Sequence, residues 1–553
     1  MKRINFFISI LVFLSIIGPQ ATVHGAAAKP ISLILTPNVP SPQPVGTSII
    51  WTAQATTHVP LVYRFSARLV SAGSFVSVRD FSPKNTFAMA PLYQGTYLVQ
   101  VVIQEGYAGA VLTSTTASYT FTSRVQGMKA VVTPTANPLV ALYSAPSCSH
   151  GTMYVAFQRV GATTWQHTGA QPCSLFGGMN FLVAGMLART TYVMEHVITN
   201  RATRITSPPL RFTTGHPFGV TFPTFTQIQP PGPQSDIEQD QLVHLLSPSP
   251  SRKAANPVAT TLDGKEVTWY TNEADLTAVW PVRMHPVSAT PMGSVTFLFG
   301  TDNQRPVGPV SSDNVFRTID LAGNPLQETS IQELNAQLVA RGNKIVYGFS
   351  HEAFPLPRGD VAVFGYTEEN VHSKHIMGDM VIVLDPLLHV VWTWDAFDHL
   401  NTSRGPILGD TCVGSPALLC PVPGYPNVVD WTHANAIDYS STDGSLMISL
   451  RNQAWVLKIN YRNGMGNGAV LWRLGMQGDF KLVPLNPRDP FPWFSYQHNS
   501  NYIDTNGTTI EVFDDGNVRC NNAAPGTCNS RGQVYQLNQR TMVATQTFSS
   551  SVG

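Results

Sequence analysis

The chain is 553 residues long and carries 34 Lys and Arg against 33 Asp and Glu, with charged residues making up only 12% of it. A formal net charge of +1 excludes the basic field on which nucleic-acid binding depends and leaves no acidic tail. Gly and Pro number 42 each and long helical periodicity is almost absent, so an all-β protein of several domains is predicted.

Lys2 and Arg3, an apolar run from Ile4 to Gly18 and small residues around Val23 to Ala28 read as a signal peptide over residues 1–25. The run is shorter than the ~20 residues of a spanning helix. Export to the periplasm or the exterior, without stable membrane insertion, is therefore expected. No cysteine follows the run, so a lipoprotein anchor is not supported.

Residues 30–125 hold short alternating segments, Ser32 to Leu35, Thr47 to Ala53, Val62 to Leu69, Gly95 to Ile103 and Ser118 to Thr122, with turn residues between them. That rhythm predicts an immunoglobulin- or fibronectin-like sandwich. Residues 126–215 repeat it, which predicts a second module, and neither carries a catalytic pattern.

A Pro-rich connector then opens the third region, residues 216–553. Tryptophans recur on its short strands at Trp269, Trp280, Trp392, Trp394 and Trp472, where packing between sheets is the expected use. Trp431 and Trp493 flank histidine motifs, and for them packing and substrate stacking both stay open. One helix is predicted, Ser330 to Gly342, with Thr329 or Ser330 as cap, Glu333 at the capping-box position and Gly342 at its end.

Three segments share a pattern in which a histidine leads an apolar strand, a Gly-bearing turn follows and a second strand returns. They begin at His351, His433 and His498. His351 and His433 are 82 residues apart, which matches two repeats of the roughly 40–45 residues of a four-stranded propeller blade. The segment MVIVLDPLLHVVWTWDAF would supply the intervening blade. His433 and His498 are 65 residues apart, as one blade with an inserted loop would be. Equivalent positions on a radial array point at one axis, so the three imidazoles are expected to meet.

The six cysteines fall into sequence-local couples, Cys148 with Cys173, Cys412 with Cys420 and Cys520 with Cys528. Disulfides are favoured over metal in an exported chain, although six cysteines leave the connectivity open.

Three histidines on one rim suit either a metal such as Zn²⁺ or an anionic group in transfer. Arg451, at the end of the strand from Leu446, tips the balance to the anion. A guanidinium is repelled by a dication and forms paired hydrogen bonds with a sulfuryl or phosphoryl group. Asn435 would add a neutral donor. No metal and no cofactor is expected.

The segments DWTHANAIDY with DGSLMISLRNQAWVLKI, YQHNSNYID with FDDG, and FSHEAFPLPRGD together resemble the bacterial arylsulfate sulfotransferase family, most strongly from Asp430 to Asp515. The resemblance implies a six-bladed β-propeller behind an N-terminal β domain and a nucleotide-independent aryl-sulfate sulfotransferase activity. It implies that His498 becomes a transient sulfohistidine, and that His433, Asn435 and Arg451 bind the sulfuryl oxygens. His351 would act as proton donor or base. An aryl sulfate is then the donor and a phenol the acceptor, in ping-pong order. The family reads His-Asp where this chain has His498-Asn499, which removes an adjacent carboxylate. Only 55 residues follow His498, so the propeller is expected to be truncated at the C-terminus, and its open edge to be covered or paired in a homodimer. The competing readings are a metal-dependent propeller lyase or hydrolase of anionic polysaccharide and a non-catalytic secreted binding protein.

Overall fold

The computed structural model describes residues 31–217 except 202, 257–261, 264, 266–271, 293–301, 314–411 and 428–552 except 522 and 524–527, with the strand backbones 244–246 and 279–287. The expected signal peptide, most of the connector, and Cys412 and Cys420 lie outside the described residues.

The architecture is all-β. In the first region the strand Ile49–Ala55 alternates buried and exposed residues, as a strand with one covered face must. It pairs with Leu33–Pro37 and Thr86–Met89. A second sheet has Val76–Ser82, Leu61–Leu69, Gly95–Glu105 and Val111–Thr122 as its long strands. The inner faces of the two sheets share Trp51, Phe65, Phe87, Val99, Val101 and Phe121. Residues 131–213 again form two sheets, around a core of Tyr143, Met153, Val155, Phe181 and Met194. A disulfide joins Cys148 to Cys173 there, with the Cα atoms 5.0 Å apart. Sequence reading missed Val76–Ser82 and Thr86–Met89, whose polar residues hide the alternation.

Among the described residues a three-stranded antiparallel sheet of His244–Leu246, Val258–Thr260 and Val267–Tyr270 comes next, and four larger antiparallel meanders follow it. The first is Val279–Val287, Ser294–Thr301, Val315–Asp320 and Pro325–Ser330; the second is Phe349–Pro355, Val361–Val371, Lys374–Leu384 and Val390–Asp395. The third is Ala434–Tyr439, Leu446–Leu450, Trp455–Ile459 and Val470–Gly475; the fourth is His498–Tyr502, Thr509–Asp514, Ser530–Asn538 and Val543–Val552. The opening strands of successive meanders lie against one another. The second and third meanders share an apolar layer of Phe364, Val381, Trp394, Trp431, Ile448 and Leu457.

One expectation is overturned. MVIVLDPLLHVVWTWDAF is not a blade between the His351 and His433 repeats; it supplies the last two strands of the His351 meander itself. The extra length is an insertion after Asp395, which begins with the short helix Ala396–His399 and returns as Val428–Asp430, paired parallel to Lys374–Leu384. Spacing alone cannot separate a blade from an insertion of similar length.

The predicted helix spans Ile331–Ala340. Ser330 caps it, its hydroxyl accepting the Glu333 N–H at 3.2 Å. Buried Ile331, Leu334 and Leu338 seat it on the strand sheet through Phe349, Val363 and Ile382.

The first β region docks on the first meander through a buried ion triad. Glu328 accepts from Arg79 Nε at 3.0 Å and from Arg317 Nε at 2.6 Å. Burial opposes the Glu328 charge, but the two guanidiniums outweigh it and hold the carboxyl below its ordinary range. Both β regions add apolar contact, Leu92 of the first and Leu142 and Leu182 of the second packing against Trp269, Val295 and Val315.

Candidate functional site

Each histidine sits at the start of the first strand of its meander: His351 in Phe349–Pro355, His433 immediately before Ala434–Tyr439, and His498 opening His498–Tyr502. Each of these strands breaks register at or beside its histidine, between Ser350 and Ala353, between Ala434 and Ala436, and between His498 and Asn501. A β-bulge turns the strand locally and re-aims a side chain, so the same device is used three times. Left-handed backbone accompanies it, at His433 with φ 50° and at Asn499 with φ 53°. Asn tolerates that region better than most residues, which gives Asn499 a conformational role.

The bulges bring the imidazoles together. The ring of His351 has its centroid 5.0 Å from that of His433 and 6.1 Å from that of His498. In all three rings Nδ1 is engaged: with Ser350 Oγ at 2.9 Å, with Asp430 Oδ2 at 2.7 Å, and with Asp515 Oδ2 at 3.1 Å. A carboxylate only accepts, so Nδ1 of His433 and of His498 carries the proton and donates it.

Arg451 joins the cluster from the end of Leu446–Leu450. Residues 451–453 form a 3₁₀ turn that clasps the loop before His433. Arg451 N donates to His433 O at 3.2 Å, Asn452 Nδ2 to Asp430 O at 2.7 Å and Gln453 Nε2 to Trp431 O at 2.7 Å. The guanidinium carbon stands 4.6 Å over the Tyr496 ring, and Nε lies 4.0 Å from Asp515 Oδ2. The Tyr496 hydroxyl donates to Asp410 and accepts from Leu408 N at 3.0 Å; burial and the adjoining carboxylate push that phenol far up. The aromatic plate under Arg451 is therefore neutral and fixed.

Asn435 is buried at 5% exposure, and its Nδ2 donates to Gln497 O at 2.7 Å. It ties the strand of His433 to the segment entering His498. Behind His433, Asp379 accepts from Thr432 Oγ1 at 2.6 Å and from Ala434 N at 2.8 Å, and burial pushes its carboxyl up to about 6 despite those bonds.

The structure thus places His351, His433, His498 and Arg451 in one cluster and Asn435 at its base. Sequence reading gave no role to Asp430, Asp515, Tyr496 or Ser350. Asp430 precedes His433 by three residues, a local signal; Asp515 reaches His498 only because the pairing of His498 with Phe513 brings the hairpin end back. Trp431 and Trp493 resolve to packing: Trp431 is 1% exposed with Nε1 donating to Arg404 O at 2.7 Å, and Trp493 packs against Tyr535 with centroids 5.8 Å apart. Cys520 and Cys528 form a disulfide shortly beyond Asp515, with Cα atoms 5.3 Å apart. Among the described residues no group of three His, Cys, Asp or Glu side chains is disposed to hold a metal ion, and no helix is long and apolar enough to cross a membrane.

Among the solved structures similar to the chain are a two-domain fibronectin type-III segment from chicken tenascin and a cytokine receptor complex. The first is 15% identical with a TM-score of 0.15, covering 33% of this chain and 98% of that one; the second is 15% identical with a TM-score of 0.14, covering 34% and 98%. At those scores neither adds to the fold described above. No curated protein matches the chain. The family model of Arylsulfotransferase (ASST) matches residues 228–553, a span that holds every histidine, arginine and carboxylate of the cluster. The chain belongs to the arylsulfotransferase family.

Proposed function

We propose that the protein is an extracytoplasmic aryl-sulfate sulfotransferase that moves a sulfuryl group from an aryl sulfate to a phenol through a sulfohistidine at His498. The observation that carries the reading is the convergence of His351, His433 and His498, each on a bulged opening strand, beside the Arg451 guanidinium.

A sulfuryl group in flight spreads negative charge over its equatorial oxygens, so fixed cationic and neutral donors stabilise it much as they stabilise phosphoryl transfer. Arg451 and His433 take that role, with Asn435 holding the strand of His433 against the segment of His498. In the first half-reaction a ring nitrogen of His498 attacks sulfur, the bond from sulfur to the aryl oxygen breaks, and the departing phenolate takes a proton from His351. In the second, an acceptor phenol attacks the same sulfur, the S–N bond breaks, and the phenol proton returns to His351. Donor and acceptor use one site in turn, which is ping-pong kinetics.

The architecture proposed with this chemistry is two β-sandwich modules, residues 30–125 and 126–215, followed by residues 216–553 as a six-bladed propeller whose blades include the four meanders. The side-by-side opening strands support it, since inner strands of adjacent blades neighbour one another. Two disulfides support an oxidising compartment.

His498→Asn should abolish phenol release from a chromogenic aryl sulfate. Intact-mass measurement of the unaltered protein after brief donor exposure should show one added sulfuryl group that a phenol removes. Full turnover by the variant would refute the assignment.

A further inference from the structure

The two nitrogens of an imidazole are not equivalent once one is committed to a hydrogen bond. At His498 the commitment is visible. Nδ1 stands 3.2 Å from Asp515 Oδ1 and 3.1 Å from Oδ2, so the ring addresses the whole carboxylate edge. Oδ2 of the same carboxylate is 4.0 Å from Arg451 Nε. Asp515 is thus held between the imidazole and the guanidinium, and both are side chains of the cluster.

We propose that Asp515 is the positioning residue of the transfer reaction: it fixes His498 in the tautomer protonated at Nδ1, so that Nε2 is the atom that accepts the sulfuryl group, and it sets the guanidinium of Arg451 beside that atom. The inference rests on the sulfotransferase reading above. Asp515 touches neither donor nor acceptor and acts through His498 and Arg451.

The electron balance follows from that tautomer. The Nε2 lone pair forms the N–S bond while the S–O(aryl) bond breaks, and the ring is left as an N-sulfonated imidazolium that still carries the Nδ1 proton. A carboxylate on that proton offsets the developing positive charge, and it does so at the moment the charge appears. When the acceptor oxygen attacks, the S–N pair returns to Nε2 and the ring recovers the starting tautomer without exchanging its Nδ1 proton. The proton shuttle of the reaction stays on His351, which is held through Nδ1 by a hydroxyl instead of a carboxylate.

In this chain Asn499 takes the left-handed bulge conformation, and the carboxylate comes from across the hairpin, two residues beyond the Phe513 that pairs with His498. A main chain bent at the bulge and a carboxylate from the neighbouring strand together orient one ring.

The test pairs kinetics with a readout that needs no turnover. In protein labelled with ¹⁵N-histidine, and assigned by comparison with His498→Asn, the His498 ring should show the Nδ1–H tautomer; the Nε2–H tautomer in unaltered protein would overturn the inference. Asp515→Asn should lower kcat for a chromogenic aryl sulfate with saturating phenol by up to about 10⁴-fold, the loss seen when a triad histidine's orienting carboxylate becomes an amide, and should move the His498 resonances toward the other tautomer. Asp515→Glu should restore part of both. Activity of Asp515→Asn within threefold of the unaltered protein, while His498→Asn is inactive, rejects the role of Asp515 and leaves the sulfotransferase reading intact. Activity retained by His498→Asn rejects the reading itself.

Discussion

Asp379 carries the clearest titration near the cluster. It lies behind His433, accepts two hydrogen bonds from the chain on either side of that histidine, and is nonetheless pushed up to about 6 from 3.8 because it is fully enclosed. The sign follows from proton linkage. A carboxyl that holds its proton more tightly when folded contributes stability below its unfolded pKa and loses that contribution as pH rises through its folded pKa. The loss is on the order of 3 kcal/mol, spread between about pH 4 and pH 6. Asp379→Asn keeps an acceptor for Thr432 and Ala434 without the ionisation. Melting temperatures of the unaltered protein and the variant should therefore diverge across that window, the unaltered protein losing ground as pH rises. A difference that stays constant from pH 4 to pH 7 would show that Asp379 does not titrate there.

The elements succeed by simple local chemistry at their ends. Leu446–Leu450 and Trp455–Ile459 are wholly buried, and the reversal between them is a 3₁₀ turn closed by Ala454 at φ 48°. That turn carries Arg451, so the strand pair is also the mount for the guanidinium. The helix Ile331–Ala340 depends on its cap: four N–H groups at a helix start lack intrahelical partners, and Ser330 satisfies one of them. Ser330→Ala should cost about 1 kcal/mol, read as a lower urea midpoint with an unchanged slope. An unshifted midpoint would mean the cap is replaced by water without loss. The opening strands of the last three meanders show the complementary case, in which regular pairing is broken by a bulge so that a histidine can face its neighbours.

Across the whole molecule, the first β region is locked to the meanders by charge. Arg79 and Arg317 have side chains only 7% and 1% exposed, and Glu328 pairs with both from a strand 249 residues away from Arg79. Removing one member of a buried ion group strands the others, which costs about 3–5 kcal/mol. Glu328→Ala should therefore lower the melting temperature far more than a surface substitution does, and limited proteolysis should release the first region from the rest. Because the Glu328 carboxyl is held below its ordinary range, its contribution is present above about pH 4.5 and is lost as pH falls through the lower folded value. The same variant should then lose its disadvantage in acid. Equal melting temperatures at pH 7 would show that the apolar contacts of Trp269, Val295 and Val315 suffice for docking.

Much of the protein was legible from residue order. Turn residues, alternation and the capping box located the helix and most strands, because those signals are local. The His-x-Asn motif with Arg 18 residues after the histidine pointed to side chains that the fold brings near one another, because the hairpin between them fixes their spacing. Two things were not legible. The spacing of His351 and His433 was mistaken for two repeats, since an insertion and a blade have the same length when only residues are counted. The carboxylates around the rings were passed over: Asp515 meets His498 through strand register, and Asp379, behind His433, meets Thr432 through contact between meanders.

Sequence by itself determined the class of fold, the helix with its cap, and which imidazoles and which guanidinium the chain would bring together. Tertiary structure alone decided how the His498 ring is held, because a tautomer is set by the partner of Nδ1, and Asp515 reaches that nitrogen through strand pairing. It also decided that the first β region is fastened by a buried ion triad, a contact between residues whose charge, read along the chain, looked like ordinary surface.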